Sequence, residues 1–206
     1  MRTAAVNTSL ERTLSNDRLT KYLAATASDL NAALTLYERN MRLSESMYIP
    51  LQILEVCLRN RINHEMSFIY GANWLNNSMV PLQLNAKQMI TEATKACGVN
   101  HSNSDLVAEI KFAFWVSLLG PRYDATIWRS VVQKAFRAKG GKKRADVHSR
   151  LNALRRFRNR VAHHEPIYST ASKMHAECLE AISWMCPDTC AWATHQSRFE
   201  RVASAP

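Results

Sequence analysis

The sequence predicts an all-α fold, a helical bundle of about seven to nine helices. Three observations carry this. Only five of 206 residues are glycine, so few places suit tight strand turns. No stretch sustains the apolar–polar alternation of a half-buried strand. Apolar residues instead recur three and four apart in segment after segment, the spacing of a helix that buries one face. A hydrophobic content of 47% is enough for the core of one domain.

The elements follow in order. Residues 1–15 read as a flexible N-terminus. Asn16-Asp17 caps a short helix to Thr26, and Ser28-Asp29 caps a second that ends near Arg39. Ser44 and Glu45 open a long helix through Leu51, Leu54, Leu58, Ile62 and Met66 to Gly71, with Pro50 tolerated near its first turn. A loop with apolar anchors leads to a helix from Asn85 to Ala96, ended by Gly98. Ser104-Asp105 caps Leu106 to Leu119, the most apolar helix, which Gly120-Pro121 breaks. Another helix spans Tyr123 to Phe136. Asp146 caps the next, whose buried stripe is Val147, Leu151, Leu154, Phe157 and Val161. It ends near His164, because Pro166 pushes Glu165 out of the helical region. Thr170 to Met185 and a segment capped by Asp188 close the chain as a helical extension, 171–206, packed on the domain 16–170.

Charge is unevenly placed. Between Arg137 and Arg160 stand ten lysines and arginines against one acid, Asp146, a net +9 out of the formal +10 of the chain. So concentrated a charge calls for a polyanionic partner. Its last turns read Arg155-Arg156-Phe157-Arg158-Asn159-Arg160-Val161-Ala162-His163-His164. These residue types suit RNA strand cleavage. A histidine takes the 2′-OH proton or supplies one to the leaving oxygen. An arginine grips the phosphate through two hydrogen bonds and stabilises the charge that builds up in the transition state. The 2′-OH is a built-in nucleophile, so neither metal nor cofactor is expected. The product would be a 2′,3′-cyclic phosphate, and DNA would resist.

Arg158-Asn159-x-x-x-His163 resembles the Arg-x4–6-His motif of HEPN ribonucleases. Four stretches, in order, resemble the Abi-like (abortive infection) branch of that superfamily: Leu54–Asn60, Tyr70–Trp74, Glu109–Leu119 and Asn159–Tyr168. The resemblance covers roughly residues 15–170. It implies a HEPN-like bundle, a homodimer with a composite active site, and phage defence through RNA cleavage; an unregulated ribonuclease would harm its host, so a restraint is expected, either an RNA or protein antitoxin, as in a toxin–antitoxin system, or gated dimer assembly. It assigns Arg158 and His163 as the catalytic pair and Asn159 as their polar support. It also places the pattern Glu-x-x-Leu-Arg-Asn on Glu55, Arg59 and Asn60. The alternative reading is a non-catalytic RNA-binding protein that uses the same basic surface.

Other features have competing readings. Arg59-Asn60-Arg61-Ile62-Asn63-His64 echoes the main motif. It reads either as a second half-site or as a Glu55–Arg59 ion pair beside an ordinary surface His64. Lys142, Lys143 and Arg144, after Gly140-Gly141, read as RNA-backbone contacts on one cationic path with the helix that follows, to which Arg155, Arg160 and His164 belong. The spacing is not that of a nucleotide-binding loop. Tyr168 either stacks a base or packs the chain reversal. His175, Cys178, Cys186, Cys190 and His195 hold zinc-ligand types without a common finger spacing, so no metal site is assigned. No run is long enough to span a membrane, no apolar leader opens the chain, and five cysteines suit a reducing compartment, so a cytoplasmic protein is expected.

Overall fold

A computed structural model of the chain describes residues 2–138 and 140–205. The fold is all-α: eleven α-helices joined by short 3-10 and π turns, with no strand among the described residues. The excess over seven to nine comes from an added amino-terminal helix and from two expected helices that are each split in two.

The N-terminal residues expected to be flexible form a helix, α1 (Ala4–Leu14). The Thr3 hydroxyl caps it by accepting from the Val6 N–H. Arg2 ties its start to α3 (Leu30–Ser46), donating to the Asn31 carbonyl and the Thr35 hydroxyl and pairing with Glu38. Between them lies α2 (Asn16–Ala25). Leu19, Tyr22, Ala33 and Leu34 close these three helices around a small core of their own.

The third helix runs past Arg39 to Ser46, and α4 (Tyr48–Tyr70) follows after the single residue Met47. Pro50 explains the break. It has no N–H to give the Ser46 carbonyl, so one continuous helix cannot close there. The central element is α4, with Leu51, Leu54, Leu58, Ile62 and Met66 buried. Its largest packing partner is α9 (Ala171–Met185), so the C-terminal residues share the main core.

Beyond α5 (Leu84–Cys97), the single helix expected over Leu106–Leu119 is two, α6 (Asn103–Glu109) and α7 (Phe112–Ser117). Ile110 and Lys111 are extended between them. Apolar residues at 110, 112, 114, 115, 116, 118 and 119 fit no single helical stripe, and the break lets every one be buried. The Trp115 indole donates to the Ile110 carbonyl that the break leaves free. The segment from Tyr123 to Phe136 is not an α-helix either. It is a π turn, Asp124–Trp128, and a 3-10 turn, Val132–Phe136. Arg129 pins the π turn by two hydrogen bonds to the Asp124 carboxylate.

The basic helix is α8 (Arg144–Ala162), with Val147, Leu151, Leu154 and Phe157 buried as the periodicity predicts. Asp146 does not cap it. Lys143 holds the cap position without a side-chain bond, and Asp146 lies in the first turn. The last expected helix is split into α10 (Pro187–Gln196) and α11 (Phe199–Ala203). Cys186 rather than Asp188 caps α10, its sulfur accepting from the Thr189 N–H. Among the described residues, no helix is long and apolar enough to cross a membrane.

His175 is buried on α9, stacked on Phe199 with ring centroids 4.3 Å apart. Burial pushes its pKa below the ordinary 6.5, against a weaker upward pull from the exposed Glu200. The unfolded chain therefore takes up this proton more readily than the folded one. The contribution is full above pH 6.5 and is lost as pH falls below it. The midpoint of thermal unfolding is expected to fall between pH 7.5 and pH 5.5, and His175→Gln is expected to flatten that fall, as melting curves at the two pH values would show.

Candidate functional site

The end of α8 is held in place by groups distant in sequence. Its carbonyls finish in a Schellman turn. The Glu165 N–H donates to the Arg160 carbonyl at 2.9 Å and the His164 N–H to the Val161 carbonyl at 3.1 Å. This turn needs a left-handed residue, and His164 fills that place with φ of 57° where glycine is usual. Arg18 on α2 donates to the His164 carbonyl at 3.0 Å and lies 3.5 Å from that of His163, placing a cation at the negative helix end. The buried Asn40 on α3 then clamps the reversal. Its Oδ1 accepts from the Ile167 and Tyr168 N–H groups at 2.6 and 3.1 Å, and its Nδ2 donates to the Glu165 carbonyl at 3.3 Å.

Around this end opens a groove of about 700 Å³ between α3, α4 and α8. Its walls carry Glu55 and Arg59 from α4, and Arg158 and His164 from the α8 end. Tyr48, Met41 and Val56 make its exposed apolar side. The Arg158 guanidinium and the Glu55 carboxylate stand 3.5 Å apart, both partly open to solvent. Such an exposed pair is worth about 0–1 kcal/mol. A phosphodiester that grips Arg158 by two hydrogen bonds can therefore displace Glu55 at little cost.

The side chains singled out from the sequence fall in different places. Glu55 pairs with Arg158, not with Arg59. Arg59 turns to the Asn60 side chain at 3.3 Å and the Ala108 carbonyl at 3.4 Å. The imidazole that borders the groove is His164. His163 is exposed at the C-cap of α8 and is not part of the groove wall, and exposed Asn159 is likewise outside it. His64 is exposed and separate from the groove, so the echo motif does not bring a second histidine to it. Tyr168 is half-buried against Tyr22, ring centroids 5.9 Å apart, and packs the reversal.

The cationic path is also interrupted. Acids from other elements fold onto α8: Asp124 against Arg144 at 3.2 Å, Glu177 and Glu180 against Arg150, and Glu165 against Arg160 at 3.5 Å. Arg144 also donates to the Leu119 carbonyl at 3.0 Å, so it braces the fold rather than facing a ligand. Arg155 donates twice to the Asn152 side chain, and Arg160 donates to the Pro166 carbonyl. Lys142 lies over the Trp184 ring, 5.4 Å from its centroid, while Lys143 is exposed. Fourteen residues of helix separate Arg144 from Arg158, ~21 Å along the axis. The basic loop and the groove are thus separate places.

The cysteine and histidine cluster is dispersed. His175 bonds to Ser197, Cys178 to the Pro50 carbonyl, Cys190 to the Leu179 carbonyl, and Cys186 caps α10. Among the described residues, no three metal-ligating side chains converge. Burial drives the Cys178 thiol strongly upward, and pushes Cys57 up to about 11.

Sequence reasoning missed Arg18, Asn40, Tyr48 and Met41. Arg18 and Asn40 lie more than a hundred residues from the carbonyls and amides they hold, and exposed apolar residues on a helix carry no local signal. No family model, curated protein or solved structure matches the chain.

Two stability results are expected. Asn40→Ala leaves buried amide donors without partners at about 1–3 kcal/mol each, so the melting midpoint should drop by roughly 5–10 °C. His164→Gly relieves the left-handed strain and should raise it by about 2–4 °C. Differential scanning calorimetry of both variants checks the clamp and the turn separately.

Proposed function

We propose that the chain is a metal-independent endoribonuclease of the Abi-like, HEPN type. One observation carries the reading: Glu55 and Arg59 from one segment meet Arg158 and His164 from another, a hundred residues away, in a single open groove. A phosphate binder and an imidazole side by side are what 2′-OH attack requires. In this reading Arg158 exchanges Glu55 for the scissile phosphate. His164 takes the 2′-OH proton, and the 2′-oxygen closes on phosphorus as the 5′-oxygen leaves. The exposed His163, next in chain, is the acid that a second copy would present to the leaving oxygen. That arrangement makes the homodimer with a composite site part of the proposal. So are a cytoplasmic location, a role in phage defence or a toxin–antitoxin pair, and an RNA or protein antitoxin that covers the groove.

The second reading is a non-catalytic RNA-binding protein. The exposed Lys142 and Lys143, well away from the groove, favour it. The two readings part on four variants assayed with RNA in EDTA. Catalysis predicts that Arg158→Ala and His164→Ala each lose cleavage by roughly 10²-fold or more, that His163→Ala loses a comparable amount, and that Lys142→Glu changes it little. Wild-type products should end in 2′,3′-cyclic phosphate. RNA binding without cleavage, lost in Lys142→Glu alone, would replace the first reading with the second.

A further inference from the structure

Next to the groove, along α4, opens a second cavity of about 740 Å³, closed on its far side by the turn from α9 into α10. Cys57 from α4 and Cys186 from that turn both line it. We infer that these two cysteines form a reversible oxidation site: a peroxide oxidises Cys186, and Cys57 then closes a disulfide that ties α10 to α4. The inference is independent of what the groove binds.

The two sulfurs have different surroundings, and the difference sets their order. Cys186 is partly exposed and holds the N-cap of α10, where its Sγ accepts from the Thr189 N–H at 3.4 Å. A helix start favours a negative charge, and so favours a thiolate. The Thr189 hydroxyl and N–H accordingly pull the Cys186 thiol below its ordinary 9.0, against a weaker opposing effect of Asp188. Cys57 is half-buried across the cavity. Burial, and after it the charge at Cys186, raise its thiol to about 11 against the pull of Arg61 one turn further on. Each sulfur therefore stands within range of the other's charge, on two helices that pack directly together. The other cysteines are placed differently. Cys178 donates to the Pro50 carbonyl at 3.3 Å and Cys190 to the Leu179 carbonyl at 3.2 Å, while Cys97 ends α5 and is outside the cavity lining.

The chemistry needs only a peroxide. The Cys186 thiolate attacks one peroxide oxygen, the O–O bond breaks, and a sulfenic acid and hydroxide form. The anion that opposed ionisation of Cys57 is then gone, and Arg61 still favours it. Cys57 Sγ attacks Cys186 Sγ, the S–O bond breaks, and the Cys57 proton leaves with the oxygen as water. A thiol reductant restores both thiols. The bond staples the helix that carries Glu55 and Arg59 to the C-terminal part of the chain.

Peptide mapping without reductant tests this on the folded chain, treated with hydrogen peroxide and then alkylated. A peptide joining Cys57 to Cys186, lost on adding dithiothreitol, is expected. Cys57→Ser should stop at a sulfenic acid on Cys186, trapped by dimedone. Cys186→Ser keeps an acceptor at the cap of α10, so the fold is retained, and should leave Cys57 as a thiol. Before oxidation, iodoacetamide near pH 7 should label Cys186 roughly tenfold faster than Cys57. Absence of the joined peptide, joining of other cysteines in equal yield, oxidation of Cys57 in Cys186→Ser, or equal labelling of the two overturns the inference.

Discussion

The carboxamide of Asn40 is the contact on which the site depends. One buried side chain on α3 satisfies two amides and a carbonyl of the reversal at Glu165–Tyr168. Arg18, from α2, neutralises the adjoining carbonyls. Together they fix where α8 stops, and so where Arg158 and His164 stand against α4. The small N-terminal core of α1 to α3 therefore has a function beyond its own stability. It holds the far end of the basic helix in register with the centre of the molecule. A Schellman turn made with histidine at its left-handed place stores strain beside the groove, where an imidazole can be used.

Charge alone does not lead to the groove. The segment 137–160 carries a net +9 in sequence, yet five acids from other elements lie against its arginines. What remains accessible is divided between a loop at one end of α8 and a groove at the other. The Glu55–Arg158 contact is a weak tie, partly exposed and without a hydrogen bond, whereas Arg144 is braced on both an acid and a carbonyl. The pair that opens easily borders the groove, and the braced one is at the opposite end.

Much of this was legible in the sequence. The buried stripe of α8, the stop before Pro166 and the all-α class all follow from local spacing. The misjudged elements share one cause, that tertiary contacts overrode local pattern. The amino-terminal helix owes its start to Arg2 reaching Asn31 and Glu38. The segments at 106–119 and 123–136 gave up regular helix so that aromatic and branched residues on all sides could be buried. Within the site, the resemblance brought forward Glu55, Arg59, Arg158 and His163, and the basic helix His164, which is the one of the two histidines that lines the groove. The choice between adjacent histidines turns on a single left-handed residue, which no periodicity records.

Cross-linking of a 4-thiouridine-substituted RNA, followed by mass spectrometry of the joined peptides, tests the central claim that the groove of α4 and the α8 end receives RNA. Adducts are expected on peptides containing Tyr48 to Arg59 and Arg158 to His164. Adducts confined to Arg137–Arg144, or spread evenly over the basic surface, would contradict it.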